Sequence, residues 1–391
     1  MNILLLAPHP FFQNRGTSIA VKLLLKVLSE QDHRIKLLTY PEGENVEIAN
    51  CTITRLPAIP CLRNVKPGPS WKKIIYDLLM FFSTRKLVCQ HKFDLIHAVE
   101  ESVFIAKILQ KHTGLPFVYD MDSSLSRQIV EKYIFLRFLL PVLEKLEKTA
   151  VKGSTGVLAV CKSVEDTVRK YDPNKLIQRL EDISLLPSNH IVPIEKNKKI
   201  KINGPVIMYI GNLEKYQGID LLLESFKIAS KVLSDAHLVI IGGAKNDIKF
   251  YKKRSLQLGI AEKTLFTGPQ PLSDLPIYFA QADILISPRI KGYNTPMKIY
   301  SYLDSGKAVL ATRLPAHTQV LNDDIAYLVK PESRSIASGM IELLGNERLR
   351  NRLALKARQY VKEKYSFEAY QRKLLNFYGI IERELLKNNR H

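Results

Sequence analysis

Three basic side chains stand in or beside one predicted turn, and these are Arg289, Lys291 and Lys298. Helix signals follow, because Thr295 is a typical N-cap, Pro296 suits the first helical position and Gly306 suits the C-terminal stop. Amide N–H groups at a helix start and nearby cations both favour a negatively charged ligand. The stretch therefore predicts an anion-binding loop, and a solvated basic loop is the alternative.

A second group of candidate residues is the pair Asp120 and Asp122, which ends the apolar run PFVYDM. Carboxylates two apart on an extended strand point to opposite faces, so both could bind one Mg²⁺ only if the strand had already turned. The cysteines are widely spaced and lack CxxC motifs or neighbouring histidines, which argues against a zinc site or a disulfide framework. We therefore expect buried thiols in a reducing cytoplasm.

Two stretches combine apolar and basic residues, 71–88 and 132–148. In the first, apolar side chains recur at helical spacing and basic residues surround them, namely Lys72, Lys73, Arg85 and Lys86. Such a stripe either packs on a sheet or rests in a membrane interface with its cations on anionic headgroups. The sequence leaves both interpretations open.

Short apolar runs alternate with helical patterns along the whole chain, which predicts parallel sheets wrapped by helices. The first half contains NILLLA, RIKLLTY, FDLIHAV, PFVYDM, TGVLAVC and DISLLP, and the second restarts at GPVIMYIGNL. The 391 residues exceed one ordinary core. We predict an α/β protein with domains at 1–195 and 205–372 and a charged linker at 196–204.

The formal net charge of +20 favours anionic partners such as nucleic acid, a phospholipid surface or phosphorylated small molecules. A nucleic-acid-binding role is not supported, because no recognisable module or interleaved basic and aromatic pattern occurs. The first ten residues, MNILLLAPHP, predict a buried strand rather than a signal peptide. No apolar run reaches the length of a transmembrane helix.

The order and spacing of several motifs resemble the retaining glycosyltransferases of family 4, which have the GT-B fold. These motifs are PHPFFQNRGTS, FDLIHAVE, PFVYDMDSS, YIGNLEKYQGIDLLLESF, VIIGG, LFTGPQPLSDLPIYFAQADILISP, TPMKIYSYLDSGKAVLAT and YSFEAYQRKLLNFY. The resemblance implies two Rossmann-like domains facing across a cleft, with the nucleotide-diphosphate sugar on the C-terminal domain and the acceptor mainly on the N-terminal one. It also implies that the last helix, about 373–391, packs back on the first domain.

The resemblance implies the donor-binding residues. Glycines would allow close approach of the nucleotide, and backbone groups at 266–268 would meet the base. The full set is Gly16, Thr17, Gly211, Asn212, Gln217, Gly242, Gly243, Phe266, Thr267, Gly268, Asn294, Thr295, Pro296 and Ser301.

The donor site departs from the family pattern. Tyr293 and Ser301 replace paired glutamates, the second of which normally binds the donor ribose. Asn212 and Gln217 replace the arginine and lysine that neutralise the diphosphate, and Asp122 replaces a histidine. The three loop cations are expected to compensate, so the predicted catalytic residues are Asp122, Arg289, Lys291 and Lys298. The two-domain arrangement favours a metal-free site without cofactors.

The expected function is that of a hexosyltransferase-type enzyme. It would move a sugar, with retention, from a nucleotide sugar to a glycan or lipid-linked glycan in cell-envelope polysaccharide, lipopolysaccharide or glycolipid synthesis. The alternative is a non-catalytic GT-B protein that is the partner of another transferase. The expected location is the cytoplasm, with the inner face of the cell membrane as a site of peripheral contact.

Overall fold

The computed structural model describes residues 1–13, 15–63, 65, 70–187, 200 and 202–388. The chain divides into two units, Met1–Glu181 with Tyr370–His391, and Asp182–Ala369. The division falls at 181/182, earlier than the predicted domain boundary at 195. Most of the predicted linker, residues 196–199 and 201, lies outside the described residues.

The first unit is built on a seven-stranded sheet of order β3-β2-β1-β4-β5-β6-β7, in which every neighbouring pair is parallel. Its strands are β1 Asn2–Ala7, β2 Arg34–Thr39, β3 Cys51–Arg55, β4 Leu95–Val99, β5 Phe117–Met121, β6 Gly156–Ala159 and β7 Ile177–Arg179. Its helices before the division are α1 Gly16–Ser29, α2 Trp71–Gln90, α3 Ser102–Thr113, α4 Leu125–Lys132, α5 Leu140–Gly153 and α6 Lys162–Tyr171.

The second unit contains a six-stranded parallel sheet of order β10-β9-β8-β11-β12-β13. The strands are β8 Val206–Ile210, β9 His237–Ile241, β10 Thr264–Gly268, β11 Ile284–Ser287, β12 Ala308–Thr312 and β13 Tyr327–Val329. The helices are α7 Ile219–Ala229, α8 Lys245–Leu258, α9 Leu275–Ala280, α10 Lys298–Asp304, α11 Pro315–Thr318, α12 Ser333–Gly345, α13 Glu347–Lys364 and the start of α14 Phe367–Asn388.

Both sheets are doubly wound. In the first unit the chain runs outward from β1 to β3 and then returns to place β4 on the other side of β1. The second unit repeats this pattern with β8 and β11. Open parallel sheets bind ligands beyond the carboxyl ends of the two strands where the order reverses. The β1/β4 and β8/β11 edges are therefore candidate ligand-binding sites.

One strand prediction near the boundary between the units needs correction. The run DISLLP, residues 182–187, forms no strand, and the last strand of the first sheet is instead Ile177–Arg179. Leu185 donates its backbone N–H to Ser301 Oγ at 2.9 Å, so this segment bonds to a side chain of the second unit rather than to a strand. The three-residue strand β13 was too short to give a recognisable apolar pattern.

The apolar stripe of helix α2, which includes Trp71, Ile74, Leu78 and Phe82, lies on the side of the helix that faces away from the protein. The buried residues of the helix are Lys73, Tyr76, Met80 and Thr84. The stripe is largely in solvent, with exposed fractions of 62% for Trp71, 69% for Ile74, 58% for Leu78 and 56% for Phe82. The core-packing interpretation of this stripe is wrong for these four residues. Leu79 is the member that packs against the core.

The stretch 132–148 likewise exposes large apolar side chains, and these are Ile134, Phe135, Phe138, Val142 and Leu146. Exposed cations accompany them at Arg137, Lys145 and Lys148. Throughout the described ranges, no helix has both the length and the apolar character needed to cross a bilayer.

The end of the chain belongs to the first unit. Tyr378 of α14 lies with its hydroxyl 2.6 Å from His97 Nδ1 in β4, and both side chains are buried. Lys373 forms an ion pair of 2.7 Å with Glu181, which is also buried. His97 Nε2 in turn lies 3.1 Å from Asp120 Oδ2. These bonds attach α14 to β4 and to the segment after β7, and His97 extends the contact to β5.

Candidate active site

The basic loop identified in the sequence lies at the β8/β11 edge of the second unit. Gly211 follows β8, Arg289 follows β11, and Lys298 opens α10. Parallel strands bring their carboxyl ends to one edge, so residues 78 positions apart in sequence are neighbours in space. This edge is the candidate donor site.

Lys298 reaches across the end of β8. Its Nζ lies 3.2 Å from Gln217 Oε1 and 3.9 Å from the centre of the Tyr209 ring. An added Cβ at Gly211 would stand only 3.1 Å from this Nζ, so the glycine leaves room for the ammonium group. A lysine held over an aromatic face is stabilised by cation–π attraction. No carboxylate in the described residues forms an ion pair with Lys298, whose hydrogen-bond partner is the neutral amide of Gln217.

Two electrostatic effects destabilise the charged form of Lys298. Burial, and then the positive charge of Arg289, hold the pKa of Lys298 well below its usual range. A negatively charged ligand at the same place would reverse both effects, because it would replace lost solvation and offset the repulsion between the two cations. An anion bound here would therefore raise the pKa of Lys298 toward its usual range.

Arg289 is held by its own loop. One terminal nitrogen donates to Asn294 O at 2.8 Å, and the guanidinium carbon lies 5.0 Å from the centre of the Tyr216 ring. Gly292 has φ +119°, and a Cβ there would lie 2.8 Å from the guanidinium group. Lys291 is exposed in this loop, and within the described residues no contact joins it to Lys298.

A buried polar network holds the backbone beneath Arg289. Thr312 Oγ1 donates to Arg289 O at 2.6 Å, and His317 Nδ1 lies 2.6 Å from Thr312 O. Burial lowers the pKa of His317 to about 4, so the ring is neutral at physiological pH and Nδ1 donates to the carbonyl. Ser287 Oγ lies 3.0 Å from the other ring nitrogen. The loop root is thus bonded to β11, β12 and α11.

Close backbone approach at this edge depends on Gly242. Its φ is +108°, and an added Cβ would lie 2.2 Å from Gly211 O. The N–H of Gly242 donates to Gly268 O at 2.8 Å, which joins the ends of β9 and β10. At Gly243 an added Cβ would lie 2.5 Å from the Leu213 side chain, so a larger residue would clash there. Phe266 is buried, while Thr267 is half-buried beside it.

The two amides that replace the family's cations behave differently. Gln217 is buried and meets Lys298, so it belongs to the cationic group. Asn212 Oδ1 accepts the N–H of Glu214 at 3.3 Å, and its carbonyl accepts the Tyr209 hydroxyl at 2.6 Å. Asn212 therefore shapes the turn after β8.

The predicted helix start is wrong. Helix α10 begins at Lys298 with Met297 as its N-cap, rather than at Pro296 with Thr295 as its N-cap. Thr295 Oγ1 is buried and has no hydrogen-bond partner. Gly306 follows the helix with φ +73°, as the sequence predicted. With only seven residues, α10 offers a weak dipole, so any attraction of this loop for an anion would come mainly from the side-chain cations.

Ser301 does not point its hydroxyl at an open edge. It is buried, and its Oγ accepts the N–H of Leu185 at 2.9 Å. The family's ribose-binding carboxylate is thus replaced by a side chain that is engaged within the second unit. A ribose contact at this position would require that bond to break.

The remaining predicted residues lie in the first unit. Gly16 is the first residue of α1 and an added Cβ would meet nothing within 4 Å, and Thr17 follows it half-buried. Asp122 follows β5, whereas Asp120 is engaged by His97. No group of three or more His, Cys, Asp or Glu side chains could hold a metal ion in the described part of the chain. The metal-free site stays a prediction.

Tyr209 and Tyr216 were missed by the sequence interpretation, although their rings lie against the two cations. A tyrosine in a buried strand is typical of an ordinary core, and the sequence holds 17 tyrosines. The one available signal was that both occur in the motif YIGNLEKYQG next to the loop after β8.

Two family profiles match this chain in tandem. The profile described as Glycosyltransferase Family 4 matches residues 14–179, and the one described as Glycosyl transferases group 1 matches residues 193–360. The chain is a family 4-type glycosyltransferase. The predicted family and enzyme class are therefore confirmed, and the second profile covers the edge built by Lys298 and Arg289.

Full-length relatives support this assignment at low identity. The chain is 24% identical over 364 residues to an uncharacterized glycosyltransferase of Methanocaldococcus jannaschii, covering 84% of each. It is 20% identical over 390 residues to the phosphatidyl-myo-inositol mannosyltransferase of Mycobacterium leprae, covering 97% of each.

Solved structures confirm the predicted GT-B fold. Sucrose-phosphate synthase from Thermosynechococcus elongatus matches with a TM-score of 0.80 at 16% identity, over 99% of both chains. The Anabaena protein HepE in complex with UDP-glucose matches with a TM-score of 0.72 at 14% identity, over 97% of this chain and 99% of that one. At these identities the likeness concerns the fold alone.

The Gly242 contact predicts a large loss of stability for Gly242→Ala. The new Cβ would meet a backbone oxygen and the residue would keep a strained φ, which together cost at least about 2 kcal/mol. Gly259→Ala is the matched control, because Gly259 has φ +71° but open space around it, and should cost only about 1 kcal/mol. Urea unfolding measures both, and equal losses would contradict the close-approach argument.

Proposed function

We propose that this glycosyltransferase moves a hexosyl group from a nucleotide-diphosphate sugar, with retention, to an acceptor in cell-envelope polysaccharide, lipopolysaccharide or glycolipid synthesis. The observation that carries the proposal is the pair of partly buried cations, Lys298 and Arg289, at the β8/β11 edge. Two neighbouring positive charges call for a ligand with at least two negative charges. The diphosphate of the donor meets that requirement.

The comparisons supply further support. HepE, which shares the fold, was solved with UDP-glucose. The Mycobacterium leprae relative acts, by its name, on phosphatidyl-myo-inositol, and a partial relative in Salmonella typhimurium is a lipopolysaccharide 1,2-N-acetylglucosaminetransferase. A lipid-linked or envelope glycan acceptor is consistent with both names.

The proposed reaction needs no protein nucleophile. The acceptor hydroxyl forms its bond to the anomeric carbon on the face from which the diphosphate leaves, and the released diphosphate oxygen takes the hydroxyl proton. Lys298 and Arg289, with Lys291 at the loop surface, stabilise the charge that develops on the leaving group. Gln217 contributes a neutral amide, and Asp122 orients a sugar hydroxyl or stabilises positive charge at the anomeric carbon.

Donor binding tests the role of the two cations. A thermal-shift screen against UDP-, GDP-, ADP- and dTDP-sugars identifies the donor first. Lys298→Ala and Arg289→Ala should then each weaken its binding about tenfold or more in calorimetry, because each removes a charge-assisted contact of about 1.5 to 3 kcal/mol. Lys330→Ala, an exposed lysine of the same unit, is the control and should bind normally.

The lowered pKa of Lys298 adds a pH signature to this experiment. Because an anion would raise the pKa of Lys298 on binding, the protein should take up a proton, and donor affinity should fall as pH rises above the lowered pKa that Lys298 has without the donor. Calorimetry in buffers of different ionisation enthalpy measures that uptake. Normal donor binding by both single variants would refute the assignment, and binding without turnover would favour the non-catalytic alternative.

Chelation tests the proposal that side chains neutralise the diphosphate without a metal. Turnover should persist in excess EDTA, because the charge on the leaving group is met by Lys298 and Arg289. Magnesium added back should leave the rate unchanged. Loss of turnover in EDTA that Mg²⁺ or Mn²⁺ restores would instead assign a metal-binding role to acidic side chains such as Asp122.

We further propose that the first unit docks on an anionic membrane surface through α2 and the stretch 132–148. Both present large apolar side chains to solvent, with exposed cations beside them at Arg85, Lys86, Lys145 and Lys148. Apolar side chains enter the headgroup region and basic residues pair with anionic lipids. Lys73 cannot take part, because it is buried in an ion pair with Glu101.

Liposome sedimentation tests membrane docking. Replacing Arg85, Lys86, Lys145 and Lys148 by Gln should weaken binding to anionic vesicles more than tenfold, since each cation near the surface contributes about 1 kcal/mol. Replacing Lys231, Lys249, Lys252 and Lys253 in the second unit removes the same charge from exposed positions and should have little effect. Equal losses by the two variants would show that only net charge matters.

A further inference from the structure

Three polar side chains beneath the cationic loop of the second unit are completely buried, and they are Ser287, Thr312 and His317. Ser287 ends β11, Thr312 ends β12 and His317 lies in α11. We call them the loop-root cluster. Buried polar groups destabilise the folded state unless they form hydrogen bonds, so the partners of this cluster show what it holds.

The hydrogen bonds of the loop-root cluster have a defined direction. Nδ1 of His317 lies 2.6 Å from Thr312 O, and because a carbonyl oxygen only accepts, Nδ1 carries the proton. Burial lowers the pKa of His317 to about 4, so the ring is neutral and its Nε2 accepts from Ser287 Oγ at 3.0 Å. Thr312 Oγ1 donates to Arg289 O at 2.6 Å. The bonds thus run in one direction and end on the backbone of Arg289.

The backbone of Arg289 is held on its other side as well. Ile290 donates its N–H to Tyr216 O at 3.0 Å, and the ring of the same tyrosine lies 5.0 Å from the guanidinium carbon. On the carbonyl side the anchor is Thr312 Oγ1. Both polar groups of the peptide bond between residues 289 and 290 are therefore fixed, and they fix the root of the arginine side chain.

Arg289 needs such anchors because it repels Lys298. Its positive charge adds to the effect of burial in lowering the pKa of the lysine, so the two cations interact through space. Like charges move apart unless the backbone that carries them is held. An arginine without its anchor would relax away from Lys298, and the two charges would no longer meet one diphosphate.

We propose that Thr312 and His317 are positioning residues for the anion held by Arg289 and Lys298. Thr312 holds the arginine's carbonyl, and His317 holds Thr312 through its backbone oxygen. Both act through Arg289, since both are buried beneath the loop. The identity of the anion as the donor's diphosphate rests on the proposed function, whereas the anchoring of the arginine does not.

Calorimetric titration of the full-length protein with inorganic pyrophosphate tests the proposal without sugar or turnover. Thr312→Val keeps the branched shape of the side chain and removes the hydroxyl, so pyrophosphate affinity should fall about fivefold or more. Thr312→Ser returns the hydroxyl and should restore the affinity. Ser225→Ala is the matched control, because Ser225 is equally buried in the same unit and donates to Leu221 O at 2.6 Å. This variant should bind pyrophosphate normally.

A double-mutant cycle separates positioning from a purely structural role. If Thr312 acts through the guanidinium of Arg289, then Thr312→Val should cause no further loss of affinity in the Arg289→Ala background. Loss by the same factor in both backgrounds would overturn the proposal. So would equal pyrophosphate binding by Thr312→Val and the parent.

His317 provides the third arm. His317→Asn places an amide N–H near the position of Nδ1 and should bind pyrophosphate nearly as well as the parent. His317→Leu removes the donor to Thr312 O and should resemble Thr312→Val. Melting temperatures show which variants fold, and the Thr312 variants decide the question if His317→Leu does not.

The same titrations separate this inference from the proposed function. Pyrophosphate binding that follows the expected pattern, without turnover of any nucleotide sugar, would remove only the proposed function. Nucleotide-sugar turnover with unchanged pyrophosphate affinity in Thr312→Val would remove only the positioning role. A parent protein that binds neither pyrophosphate nor a nucleotide sugar would overturn both.

Discussion

Repulsion between two partly buried cations is the constraint on which the second unit's sheet edge depends. Lys298 and Arg289 are close enough that Arg289 lowers the pKa of the lysine. Burying like charges is unfavourable unless other groups compensate, and here the rings of Tyr209 and Tyr216 face the cations while Gln217 Oε1 accepts from the ammonium. His317 beneath the loop is kept neutral partly by the same charges. An anion bound between the two cations would relieve this unfavourable interaction.

The two sheets share one strand topology, but the charged side chains at their switch-point edges differ in sign. The β8/β11 edge of the second unit gathers cations, and the β1/β4 edge of the first gathers carboxylates around Lys73. Strand order dictates where a ligand crevice forms, but the loop side chains after each strand decide which ligand it suits. The cations of the β8/β11 edge would favour an anionic ligand, whereas the β1/β4 edge presents carboxyl groups instead.

Helix α2 links this carboxylate edge to the exposed surface. Its inner face carries Lys73 and Asp77, whose bonds to Glu101 and Tyr40 attach the helix to the sheet edge. Because those polar bonds occupy the inner face, the apolar stripe of Trp71, Ile74 and Leu78 remains outside. Buried polar groups are costly to leave unpaired, so the helix cannot simply rotate its stripe inward. An exposed apolar surface is thus built into the first unit.

The amino-acid sequence by itself determined the family, the parallel α/β architecture and most strands, because runs such as NILLLA and AVLAT are buried on both sheet faces and read as continuous apolar segments. It also identified Arg289 and Lys298 as neighbours of a turn. Only the tertiary structure decided which predicted groups meet. Ser301 is engaged by Leu185, Lys291 stays at the surface, and the stripe on α2 faces outward. Each of these outcomes depends on contacts between residues far apart in sequence, which local periodicity and capping signals do not encode.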